Sequence, residues 1–146
     1  MRKSLILIIF WALIGTFLFI VSQFFIPIVR ELVRGPIIFL LPFFLFFLLG
    51  IILIFLALKQ KVEKSLKRFL ILIGGSATGF FLFVLLHNLF YGLEIITSQI
   101  SILSLIMEIL HTVSFIIAIF VCPLGFVIGA IGTIVVFIKK KESSAF

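Results

Sequence analysis

The chain has 146 residues, is 64% hydrophobic and 12% charged, and carries a net charge of +7 with a mean hydropathy of +1.53. A soluble domain has about twice that charged fraction, so an ordinary globular enzyme is excluded. The apolar residues fall in runs of about 20, which is enough to cross the hydrocarbon of a bilayer, and the basic residues lie between the runs, where topology and lipid headgroups explain them better than nucleic acid.

Arg2 and Lys3 precede an apolar run from Leu5 to Ile26. A signal peptide has an apolar core of about 7–15 residues and a small-residue cleavage site. This run has 22 residues and Val21-Ser22-Gln23 is a poor site, so it reads as an uncleaved first span. Gly15 with Ser22, and Thr16 with Gln23, are seven apart and mark an inward face. Trp11 is too deep for the interfacial aromatic belt and is expected to pack.

Residues 27–36 read as a loop holding Arg30, Glu31 and Arg34, punctuated by Pro27 and Gly35-Pro36. The second span is Ile37 to Leu58, with Pro42 bending its second turn. Phenylalanines surround this helix on all sides, so it is expected to be the most lipid-exposed of the spans. Lys59 to Arg68 is the clearly hydrophilic loop, with Lys59, Lys61, Lys64, Lys67 and Arg68 against Glu63. It either binds anionic headgroups, at roughly 1 kcal/mol per basic residue, or only fixes topology.

The third span is about Phe69 to Tyr91. Gly74, Gly75 and Gly79 lie in its first half, and Gly75-x-x-x-Gly79 has helix-dimer spacing. The same stretch is no phosphate loop, because it lacks the Lys and the preceding strand. His87, Asn88 and Tyr91 mark the far end. Gly92 to Ser104 reads either as a loop or as the polar start of a long fourth helix. The apolar pattern then runs from Leu105 to Ile138, 34 residues, too long for one straight span. Cys122-Pro123 should kink it. The fold class is therefore all-α, an up-down bundle of four transmembrane helices at about 5–26, 37–58, 69–91 and 105–138. The two ends and the Lys59–Arg68 loop hold ten of the 12 Lys and Arg, which puts both termini in the cytoplasm.

The fourth helix carries a seam at heptad spacing: Glu108, His111, Phe115, Ala118, Cys122, Gly125, Gly129, Gly132 and Val136. Small residues let helix backbones approach in lipid. Gly129 and Gly132 should meet Gly74, Gly75 and Gly79 at equal depth, within the chain or across a homodimer.

A polar cluster crowns the same helices. His87, Tyr91 and Glu94 share one helical face, and Glu108 with His111 forms Glu-x-x-His. Ionisable groups at membrane depth tend to mark function, and Glu-x-x-His on bundle helices is half of a di-iron motif. Counting rises of 1.5 Å per residue suggests two levels, His87 facing Cys122 and Glu94 facing Glu108 and His111. These side chains suit zinc, iron or copper, or haem. Interhelical pairing is the competing reading, and Cys122 reads as a packing residue. With one cysteine and no Asp, no catalytic set is visible. The leading reading is a non-enzymatic protein of the lipid bilayer that packs with itself, as a homo-oligomer, or with a larger membrane partner. A metal- or haem-binding redox or transfer protein is the alternative, and a small oligomeric transporter the third. The abundance of Ile, Phe and Lys suggests AT-rich coding and a prokaryotic plasma membrane.

Overall fold

The computed structural model describes residues 2–143. Those residues are 91% helical and contain no strand. In chain order the elements are α1 (Arg2–Phe25), α2 (Pro27–Leu32), α3 (Pro36–Lys59), α4 (Lys64–Ile96), α5 (Ser101–Ile116), a π-helical turn (Ile117–Val121) and α6 (Cys122–Ser143). α5, the π turn and α6 form one continuous rod, so four long helices run up and down.

Each rod is apolar around its whole circumference. Yet only 22% of each apolar window is buried by the chain itself. A helix hydrophobic on all faces needs an apolar surround, and the chain itself supplies only a small part of it. Four helices are long and apolar enough to cross a membrane, so the chain reads as an integral membrane protein. The equal burial corrects one expectation: the second span is no more lipid-exposed than the others. Its phenylalanines do point in all directions, but Phe43 and Phe46 point inward.

The helix ends extend beyond the expected bounds. α4 starts in the basic loop and ends at Ile96, where Thr97 donates its hydroxyl to the Leu93 carbonyl at 2.8 Å. Residues 97–100 form the whole connection, because α5 already begins at Ser101. The Gly92 to Ser104 stretch is thus mostly helix. Residues 27–32 are a short helix rather than loop, with Pro27 at its first turn, where the missing N–H is harmless.

Pro123 shapes the last rod. Its ring removes one ladder donor and crowds the carbonyl of Ile119. The rod widens into the π turn just before it, and the Cys122 N–H reaches back to the Ile117 carbonyl. A single π turn is a usual way for a helix to absorb such a fault.

α4 is the central helix. α3 lies on one side of it and the α5–α6 rod on the other, and α1 packs on α3. Aromatic rings close the bundle between α1 and α6. Phe17 stacks on Phe126 at 4.6 Å, and Phe10 meets Phe137 edge-on. Leu13, Leu53, Leu70 and Ile73 are fully buried around them. Gln23 is also buried, as its face predicted, and neither of its amide atoms has a partner among the described residues. Gly15, assigned to the same face, is exposed, and a Cβ there would meet nothing within 4 Å. Trp11 does not pack inside either: it leans on Phe10 and stays 54% exposed, lining a groove between α1 and α6.

Candidate functional site

Glycines set the spacing of the rods. On α6, Gly125, Gly129 and Gly132 take side chains of α4 into the room a Cβ would occupy. Gly125 receives Ser76, Gly129 receives Ile73, and Gly132 receives the ring of Phe69. Ala118 is buried on the same line, and Cys122 sits against Gly79. These positions pack as the seam predicted. The expected glycine-on-glycine contact between the third and fourth spans does not form. It lies between α3 and α4 instead, where a Cβ on Gly50 would stand 2.9 Å from the Gly74 carbonyl oxygen. Gly50 went unnoticed because it is a lone glycine inside a Phe- and Leu-rich helix. Within the chain Gly75 packs against no other helix: it is exposed, and a Cβ there would meet nothing within 4 Å. The α6 contact line crosses α4 through Phe69, Ile73, Ser76 and Gly79, and Gly75 falls beside it.

The heptad reading of the seam fails at its polar end. Glu108 points outward and Phe115 is 45% exposed, its ring meeting α4 at His87, while Ser114 is buried and Met107 half-buried. An α-helix turns every 3.6 residues, so a strict sevenfold spacing drifts off one face, and the π turn adds a further residue.

Beyond the seam, α4 and α5 form a hairpin tip. Phe43 stacks on Phe80 at 5.8 Å, which fixes the register of α3 against α4. His87 lies seven residues past Phe80, as Pro36 lies seven before Phe43. The start of α3 is therefore level with His87, and the remaining nine residues of α4 rise about 14 Å above it. In that tip His111 and Glu94 meet, with Nδ1 2.8 Å from Oε2 and both side chains largely shielded. The pair is close, but it lacks hydrogen-bond alignment, and neither atom has a hydrogen-bond partner among the described residues. At the base of the tip, His87 donates from Nδ1 to the His111 backbone carbonyl at 3.0 Å. A carbonyl only accepts, so the proton of His87 sits on Nδ1. Tyr91 and Phe115 flank the two imidazoles, with ring centres 5.6 Å from His111 and 5.3 Å from His87 respectively.

Two expected meetings are corrected here. His87 does not face Cys122, whose sulfur packs at Gly79, about two turns nearer the lysine-rich end. Glu108 is exposed and does not join Glu94 and His111. Among the described residues no three His, Cys, Asp or Glu side chains come together as metal ligands. A protein zinc site uses at least three. What the cluster can do, as it stands, is tie α4 to α5 by two polar contacts inside an apolar sleeve. The centre of the bundle is filled as well. Phe17, Phe46, Phe80 and Phe126 leave a cavity of only about 20 Å³ beside Ser76 and Cys122.

At the opposite end, two lysines of the basic loop touch the chain itself. Lys59 lies over the Phe55 ring at 5.0 Å, and Lys67 donates to the Leu58 carbonyl at 3.4 Å. Lys59, Lys61, Lys64 and Arg68 are exposed, which is where a headgroup would be met. The chain matches no protein family, and no curated protein or solved structure is significantly similar to it.

Proposed function

We propose that this protein is a non-enzymatic membrane module that binds another membrane-embedded helix surface through the α4–α5 tip. One observation carries the reading: the tip is built inside out. Three of its four carboxylate and imidazole groups, Glu94, His87 and His111, face each other across the hairpin, and only Glu108 faces outward. Its outer faces present Leu89, Ile95, Ile102, Leu105, Ile106 and Ile109 to the surroundings. Not one Lys or Arg occurs between Phe69 and Ile138. Exposed apolar patches of this extent mark interaction surfaces. Apolar groups that rise past the hydrocarbon edge need a protein partner more than those within it. The phenylalanine-filled centre supports packing over a transport path.

The expected result of placing a photoreactive side chain at Ile106 in native membranes is a discrete crosslinked protein band. The same probe at Ile52, on the flank of α3, should give lipid adducts only. Monomer and lipid adducts alone at both positions would remove the reading.

The orientation belongs to the same proposal. With ten of 12 basic residues at one end, both termini and the Lys59–Arg68 loop are cytoplasmic and the tip is external, in a prokaryotic plasma membrane. A cysteine replacing Gln99 should then react with an impermeant thiol reagent in intact cells, and one replacing Lys61 only after lysis. The native Cys122 is buried and should stay silent in both. The reverse pattern would invert the topology.

A further inference from the structure

The one acid of the Lys59–Arg68 loop is the least explained charge in the protein. Glu63 stands just before α4 and caps no backbone N–H with its side chain. It has five basic neighbours in sequence, yet among the described residues it forms no ion pair. It lines instead one edge of an open groove of about 560 Å³ between the start of α4 and the end of α6. Lys139 lines the groove as well, also without an acidic partner among the described residues. Ser65 adds a hydroxyl, and the floor is apolar, made by Phe69, Val135 and Val136. Gly132 makes that floor possible, because a Cβ there would strike the Phe69 ring.

A carboxylate, an ammonium and a hydroxyl around an apolar floor, where two spans leave the hydrocarbon, define a chemistry. The ligand has a cationic group that donates hydrogen bonds, an anion and a hydrocarbon tail. We infer that this groove binds an aminophospholipid of the leaflet at the lysine-rich end. The primary ammonium meets Glu63, the phosphodiester meets Lys139 and Ser65, and an acyl chain lies along Phe69 and Val135. Charge-assisted hydrogen bonds are the stronger kind, and the ammonium offers three donors. A choline headgroup offers none, so phosphatidylcholine keeps only the charge attraction. Phosphatidylglycerol has no cation and sets its own negative charge beside Glu63. The inference is sharp because a loop with five basic residues would by itself favour the anionic lipid.

The test is native mass spectrometry of the full chain in mild detergent, with phosphatidylethanolamine, phosphatidylcholine and phosphatidylglycerol of identical acyl chains. Retention of phosphatidylethanolamine should exceed that of either rival roughly fivefold, the size of one net hydrogen bond. Glu63→Gln should lower it to the phosphatidylcholine level without changing the melting temperature. Lys139→Gln should weaken phosphatidylethanolamine and phosphatidylcholine alike. Equal retention of the three lipids, a preference for phosphatidylglycerol, or indifference to Glu63→Gln would each overturn the assignment. If Glu63→Gln does not fold, a photoreactive phosphatidylethanolamine added to the unmodified protein decides. Labelling within residues 63–69 or 132–139 supports the groove, and labelling confined to other surfaces overturns it.

Discussion

Replacing Gly50 with Ala should lower the melting temperature in detergent by roughly 4–10 °C, from an overpacking cost of about 1–3 kcal/mol. The reason is backbone. A Cβ at Gly50 would lie 2.8 Å from Thr78 Oγ1, 2.9 Å from the Gly74 carbonyl oxygen and 3.0 Å from Ala77 Cβ. Carbonyl oxygens of a helix cannot step aside as a side-chain tip can, so α3 and α4 must separate. Gly50→Leu should prevent the monodisperse form altogether. Gly74→Ala should resemble Gly50→Ala, since its Cβ would stand 2.8 Å from the Gly50 carbonyl oxygen. The adjacent Gly75 is the control. A Cβ there would meet nothing within 4 Å, and Ala is the better helix former, so Gly75→Ala should be neutral or stabilising by up to about 1 kcal/mol. Thermal unfolding of the three Ala variants side by side decides the matter. If Gly75→Ala destabilised as much as Gly50→Ala, the α3–α4 contact line would be misplaced.

The second large effect lies in the tip. Glu94→Ala and His111→Ala should each destabilise the protein by about 1–2 kcal/mol, with a coupling between them of about 0.5–1.7 kcal/mol in a double-mutant cycle. Their side chains are 26% and 18% exposed, so little water competes for either. The pair Arg34 and Glu31 is a built-in comparison. Its atoms are 3.3 Å apart, but the side chains are 80% and 68% exposed. A pair so exposed contributes little measurable coupling. Equal coupling in the two cycles would mean that the tip contact is no more than a surface encounter. Glu108→Gln should leave stability unchanged, because Glu108 faces outward. Loss of the tip crosslink in Glu94→Ala, with α3 and α4 still packed, would tie this pair to the docking surface.

The tip and the groove share a logic: charged groups sit where the chain supplies no partner or only one. Glu94 has one, the imidazole of His111. Glu63 has none among the described residues and lines a groove at a membrane edge. A polar group near hydrocarbon is costly unless something answers it. The tip answers internally, and the groove is built to be answered by the membrane.

The sequence alone determined that there are four long helices apolar enough to cross a membrane. Runs of Leu, Ile and Phe long enough to span hydrocarbon, separated by Lys and Arg, admit few other solutions, since every backbone polar group in lipid must be satisfied within its own helix. It also marked the right residues on the last rod from Ala118 to Gly132, because small side chains at three- and four-residue spacing are a local signal. Which surfaces meet was decided by tertiary structure. Gly50 has no small neighbour to announce it, and its role exists only because α3 crosses α4 at Gly74. Glu108 and His111 looked equivalent at three-residue spacing. The rotation of α5, adjusted by the π turn before Pro123, turned His111 inward to Glu94 and left Glu108 outside. Helical periodicity fixes which residues share a face, but the direction of that face depends on accumulated turn and on the packing partner, and neither is written in any single stretch of chain.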